Sequence, residues 1–126
     1  MYKRQIFTEI FQDAVLYPAP INHWEAEEMI SSLKSSRLLA GYRGQPPLDI
    51  KALADCLVSV SRLAEDYREK LVEMDINPVF VYPEGKGVKA ADGLMAVSYT
   101  HLTAAQPFIR RPVLWQSYYF GFWAMP

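Results

Sequence analysis

Two runs of the chain, LVEMDINPVFVY (71–82) and GVKAADGLMAV (87–97), flank the four residues PEGK (83–86), and no other feature constrains the fold as tightly. In the first run Met74, Ile76 and Val79 alternate with Glu73, Asp75 and Asn77, the pattern of a strand that buries one face. Proline, glutamate and glycine suit a hairpin loop. With Tyr82 opposite Gly87, Asn77 falls opposite Asp92. Directly opposed residues share a face, with Cβ atoms roughly 5 Å apart. Asp75 lies one step along that face, about 7 Å from Asn77. Carboxylates gathered on one face repel unless a cation or water lies over them.

Two readings of that face stand side by side. In one, Asn77 and Asp92 grip a metal ion with Asp75 close by. An amide oxygen and a carboxylate are hard donors, and few protein ligands plus substrate phosphates is the usual arrangement for Mg²⁺. No histidine or cysteine joins the group, which argues against zinc. In the other, the hairpin faces solvent and its charges are simply hydrated. A one-residue error in the loop would move Asp92 to the opposite face.

The remaining elements follow from periodicity and caps. IFTEIFQDAVLYPAP (6–20) reads as one or two strands ended by Pro18 and Pro20. NHWEAEEMISSLKSS (22–36) reads as a helix, with Asn22 as N-cap, Glu25 completing a capping box, and Ala26, Met29, Ile30 and Leu33 as its apolar stripe. His23 is expected in the exposed first turn. RLLAGYRGQPPLD (37–49) reads as a loop. Arg37 and Arg43 are its cations, solvated or, since glycines let backbone N–H groups approach an anion, placed for phosphate. Asp49 caps a helix predicted over 50–70, whose stripe is Ile50, Leu53, Ala54, Leu57, Ser61, Ala64 and Tyr67. Helix followed by antiparallel strands makes an α+β architecture.

A chain of 126 residues, 51% hydrophobic and 21% charged, suits one modest globular domain. A net charge of −1 offers no basis for binding nucleic acid or an anionic membrane. No apolar run reaches the length of a membrane span. The lone cysteine, Cys56, rules out an intrachain disulfide, so a reducing cytoplasmic setting is expected, with the thiol in a buried structural role.

Four segments, IFTEIFQDAVLYPAPI, LLAGYRGQPPLDIKAL, VSRLAEDY and EMDINPVFVYPEGKGVKAAD, together resemble the ATP-grasp domain of NDP-forming acyl-CoA synthetases. That group includes ADP-forming acetate–CoA ligases and bacterial protein acetyltransferases carrying a related synthetase portion. The resemblance implies the C-terminal lobe of an ATP-grasp fold, an antiparallel sheet packed against two helices. It implies interconversion of acyl-CoA, phosphate and ADP with free acid, CoA and ATP, by way of a phosphohistidine. Mg²⁺ and ATP or ADP are the implied cofactors, with CoA bound elsewhere in the parent enzyme. Asn77 and Asp92 match the family's metal ligands. Asp75 stands where succinate-specific relatives have a glutamate that meets the phosphohistidine. Arg43 matches a loop expected to contact phosphate, and Glu9 matches a segment that faces the same site.

The implied partners are a nucleotide, the preceding ATP-grasp lobe and the CoA-binding domains or subunit. The alternatives carried by the same residues are a scaffold or sensor region of a protein lysine acetyltransferase and a stand-alone α+β interaction domain. MYKRQ (1–5) and VSYTHL (97–102) can be written by one short DNA element read in opposite orientations, matching a transposon end used to build sequencing libraries. Residues 1–5 and 97–126 are therefore expected to be adaptor-derived or out-of-frame, leaving 6–96 as a partial ATP-grasp domain inactive by itself. VLWQSYYFGFWAMP (113–126) has neither helical nor strand period.

Overall fold

A computed structural model describes residues 13–98, together with the backbone of 112–116. Strand β1 is Ala14–Pro18, followed by helix α1 (His23–Ser32), the short helix α2 (Ser36–Leu39) and helix α3 (Ile50–Asp66). Strands β2 (Leu71–Ile76), β3 (Val79–Val81), β4 (Val88–Ala90), β5 (Gly93–Val97) and β6 (Pro112–Gln116) complete the order. The strands form three antiparallel pairs, β1–β6, β2–β5 and β3–β4. Mixed helices and antiparallel strands bear out the α+β class. Among the described residues no helix is long and apolar enough to cross a membrane.

The core lies between α1, α3 and the hairpin. Met29 and Ile30 of α1 meet Leu53, Ala54, Leu57 and Val58 of α3, with Ile21, Leu39 and Val79 closing the cluster. Ile76, Val81 and Val88 pack against it from the strands. Burying side chains of this size contributes roughly 1.5–3 kcal/mol each relative to leaving them in water. The fully buried Ser61 hydroxyl donates to the Val58 carbonyl (2.8 Å) and accepts from the Ile21 amide (3.1 Å), so the polar group in the stripe is satisfied twice.

Both long helices end earlier than their sequence periods suggest. α1 starts with the expected capping box, Asn22 accepting from the Glu25 amide and Glu25 accepting from the Asn22 amide. It stops at Ser32 rather than 36 because the buried Asp13 carboxylate takes the amides of Lys34 (2.6 Å) and Ser35 (2.9 Å), turning the chain into α2. α2 in turn occupies the start of the segment expected to be loop. α3 stops at Asp66 rather than 70 because its apolar stripe runs out: Tyr67 is 55% exposed. Val58 replaces it among the buried positions.

β6 was not expected, since its segment lacks strand alternation. Val113 and Trp115 are nonetheless strong strand formers, and the backbone pairs with β1 from Ala14–Gln116 to Pro18–Pro112. Residues 1–5 and the rest of the segment beyond Ser98 lie outside the described residues.

Candidate functional site

The hairpin has the register that the turn PEGK implies. Val81 faces Val88, Phe80 faces Lys89 and Val79 faces Ala90. Beyond them Ile76 faces Gly93 and Asp75 faces Leu94. The rung between is closed by the Asn77 amide donating to the Asp92 carbonyl (3.0 Å) and the Ala91 amide donating to the Pro78 carbonyl (3.0 Å). Asn77 therefore stands across from Asp92, and Asp75 lies two residues along the same strand.

The ladder is not continuous. Ile76 and Val79 both pack toward the core, three residues apart, so the period of two slips once at Asn77–Pro78. Pro78 has no N–H to give a ladder bond, and one expected hairpin becomes two short pairs. The slip keeps Val79 and Val81 inward while leaving Asp75, Asn77 and Asp92 on the side away from the core. Asp75 and Asp92 are exposed and Asn77 is half-buried. One Asp92 carboxylate oxygen accepts from the Gly93 amide (2.8 Å), which restrains that side chain.

This donor set suits a hard cation held by few protein ligands. Among the described residues no three acidic, histidine or cysteine side chains cluster as a metal cage. An amide and a carboxylate alone match the habit of Mg²⁺, which keeps waters and shares substrate phosphate oxygens.

Arg43 sits apart from this ribbon, in the loop between α2 and α3. It belongs to a turn in which Gly41 (φ 97°), Arg43 (φ 51°) and Gly44 (φ 81°) all have left-handed backbones, unusual for arginine. A Cβ at Gly41 would lie 2.9 Å from the Gln45 carbonyl, so the loop closes only with glycine there. The exposed guanidinium lies 5.2 Å from the Tyr42 ring centroid. The loop is sewn to the hairpin's turn: the Glu84 amide donates to Pro47 (3.0 Å) and the Asp49 amide to Tyr82 (2.8 Å). Five residues separate Tyr82 from Asn77, about 16 Å if fully extended. The described hydrogen bonds thus bring Asp75, Asn77 and Asp92 onto one ribbon and anchor Arg43's loop at its other end. Glu9 lies outside the described residues.

Two carboxylates emerge that sequence reading did not weigh as more than local. Asp13 went unnoticed inside an apparent strand. Asp49 was legible as a helix cap, and its Oδ1 does accept from the Ala52 amide (3.0 Å). Its Oδ2 also accepts from the Gly85 (3.0 Å) and Gly87 (2.9 Å) amides of the hairpin turn. The amides of Ala52 and Gly87 hold this carboxyl below the ordinary aspartate value. The glycine-x-glycine spacing after PE was the available signal. Cys56 is half-buried, and burial pushes its thiol above the ordinary range, which suits the structural role expected of it. His23 is exposed as expected and lies 3.0 Å from Asp55.

Residues 5–97 match the family model of an ATP-grasp domain. The chain belongs to the ATP-grasp family. Over 87 residues this ATP-grasp chain is 44% identical to the beta subunit of ADP-forming acetate–CoA ligase II of Pyrococcus furiosus, covering 69% of its own length and 37% of that subunit. It superposes on a crystal structure from Pyrococcus horikoshii with a TM-score of 0.69 at 39% identity, covering 74% of this chain and 39% of that one. It also superposes on the dinucleotide-forming acetyl-coenzyme A synthetase 1 of Ca. Korarchaeum cryptofilum, with a TM-score of 0.67 at 38% identity over 74% and 42% of the two chains. That enzyme was crystallised with coenzyme A and Mg-AMPPCP, its phosphohistidine segment pointing towards the nucleotide-binding site. The ATP-grasp chain is thus related to ADP-forming acyl-CoA synthetases, and it spans less than half of each relative named here.

Proposed function

We propose that this chain is the part of an ADP-forming acyl-CoA synthetase that supplies Mg²⁺–nucleotide ligands for phosphoryl transfer through a phosphohistidine. Asn77 and Asp92 hold the ion, Asp75 faces the transferred phosphate, Arg43 contacts phosphate and Glu9 faces the same site. The observation carrying this reading is the hairpin register that sets Asn77 against Asp92 on the solvent side. When bound, Mg²⁺ neutralises charge that develops on the moving phosphoryl group. The chain's own share is to present two oxygen donors at fixed spacing and a third carboxylate beside them. Residues 6–96 are the working portion in this reading. Alone they are inactive, because one lobe cannot bring ion, nucleotide and phosphohistidine together.

Titration with Mn²⁺, followed by paramagnetic broadening of amide signals, tests the reading. In the presence of ADP, broadening should centre on Asn77 and Asp92. Asn77→Ala and Asp92→Ala should each weaken binding at least tenfold with the fold retained. Broadening centred elsewhere, or unchanged affinity in both variants, overturns the assignment.

A further inference from the structure

The hairpin carrying Asn77 and Asp92 is poorly secured by its own ladder. Its turn contains Gly85 (φ 82°) and Gly87 (φ 83°), both free of steric constraint on an added side chain except for that backbone conformation. Its middle is interrupted at Pro78. An interrupted ladder whose β5 strand is exposed along its length specifies register weakly, and a slip by one residue turns every side chain to the other face. Such a slip would separate Asn77 from Asp92.

Two devices bracket the ladder. At the open end a bulge between Leu71 and Glu73 shifts the pairing by one residue. At the closed end the Asp49 carboxylate, 7% exposed, reaches across 36 and 38 residues of sequence to the amides of Gly85 and Gly87. A carboxylate accepting two turn amides is a strong, directional fastening. Backbone bonds from Asp49 and Glu84 bring the turn alongside the loop, while the carboxylate fixes how the turn is folded.

We infer that Asp49 is a positioning residue, holding through its Oδ2 atom the hairpin register that sets Asn77 against Asp92. This rests on the Mg²⁺ reading only for its consequence; the register itself is measurable without metal. It also places the Arg43 loop and the metal pair on one frame, since Asp49 ends that loop and grips the hairpin.

Three substitutions in the 126-residue chain separate the pin from the cap. Asp49→Ser keeps a cap for Ala52 but is too short to reach the turn. Asp49→Asn keeps the size and the capping oxygen, and sets an amide NH₂ against two N–H donors. Asp49→Ala loses both functions. Amide hydrogen exchange by NMR reads the register at Tyr82, which donates to Gly87, and at Asn77, which donates to Asp92. In Asp49→Ser and Asp49→Asn, exchange at both amides should quicken at least tenfold while the α3 amides stay protected. Mn²⁺ affinity should fall in parallel. Loss of protection at Tyr82 with Asn77 within twofold of the parent chain overturns the proposal, for the pin would then be local to the turn. Lost protection at Asn77 in a chain that never binds Mn²⁺ supports the pin and rejects the metal reading.

Discussion

Helix α3 and the β2–β5 ribbon follow one another in the chain and differ in how completely they are satisfied. In α3, Leu53 and Ala54 are fully buried, Ser61 makes two hydrogen bonds, and the capping carboxylate has three amide partners. In the ribbon every residue of β5 is exposed, including Leu94 at 69% and Met95 at 51%, and so are Glu73 and Asp75 of β2. The first region is stabilised by contacts within the chain. The second is joined by a backbone ladder interrupted at Pro78 and presents both apolar and acidic side chains outward. A region with so much of its side-chain surface exposed is where a ligand, an ion or another protein surface gains most.

Substitutions should separate the two regions. Leu53→Ala should cost about 2–5 kcal/mol in urea denaturation, whereas Leu94→Ala should cost less than about 0.5 kcal/mol. A comparable loss at Leu94 would break the contrast. Acid should act on the α3 side through Asp49. Its folded carboxyl titrates below the unfolded value of about 3.9, so the unfolded chain takes the proton first as pH falls. The stability it contributes is therefore complete above that value and is lost as pH drops through the folded pKa. The gap in urea midpoint between the parent chain and Asp49→Asn should be constant from about pH 7 to 5 and shrink below about pH 4. A gap that widens in acid would contradict the fastening. Asn22→Ala, removing the capping box of α1, should cost about 0.5–2 kcal/mol. At the exposed contact with His23, Asp55→Ala should cost less than about 1 kcal/mol, measured the same way.

The sequence disclosed the α1 cap, the α3 stripe and the hairpin register because each rests on local period or local turn chemistry. The rung of Asn77 and Asp92 needed only the length of the turn. What escaped was set by groups distant along the chain. Nothing near residues 34–35 announces that Asp13 will end α1, and nothing near Asp49 announces two glycines more than thirty positions later. The slip at Pro78 was half legible: proline removes a ladder donor, yet only packing against the core decides that Ile76 and Val79 both turn inward.

Ser61 bears on how this chain tolerates change. Its position admits almost no alternative in the amino-acid alphabet. Alanine would leave the Ile21 amide buried without an acceptor, and threonine would bring a methyl group into space that has none to give. Position 61 should therefore be among the least permissive in a saturation library, although it carries neither charge nor chemistry. A mutational scan of activity would score it beside Asn77 and Asp92, the pair proposed to hold the ion, for an unrelated reason, and only an assay of folding would tell the two apart.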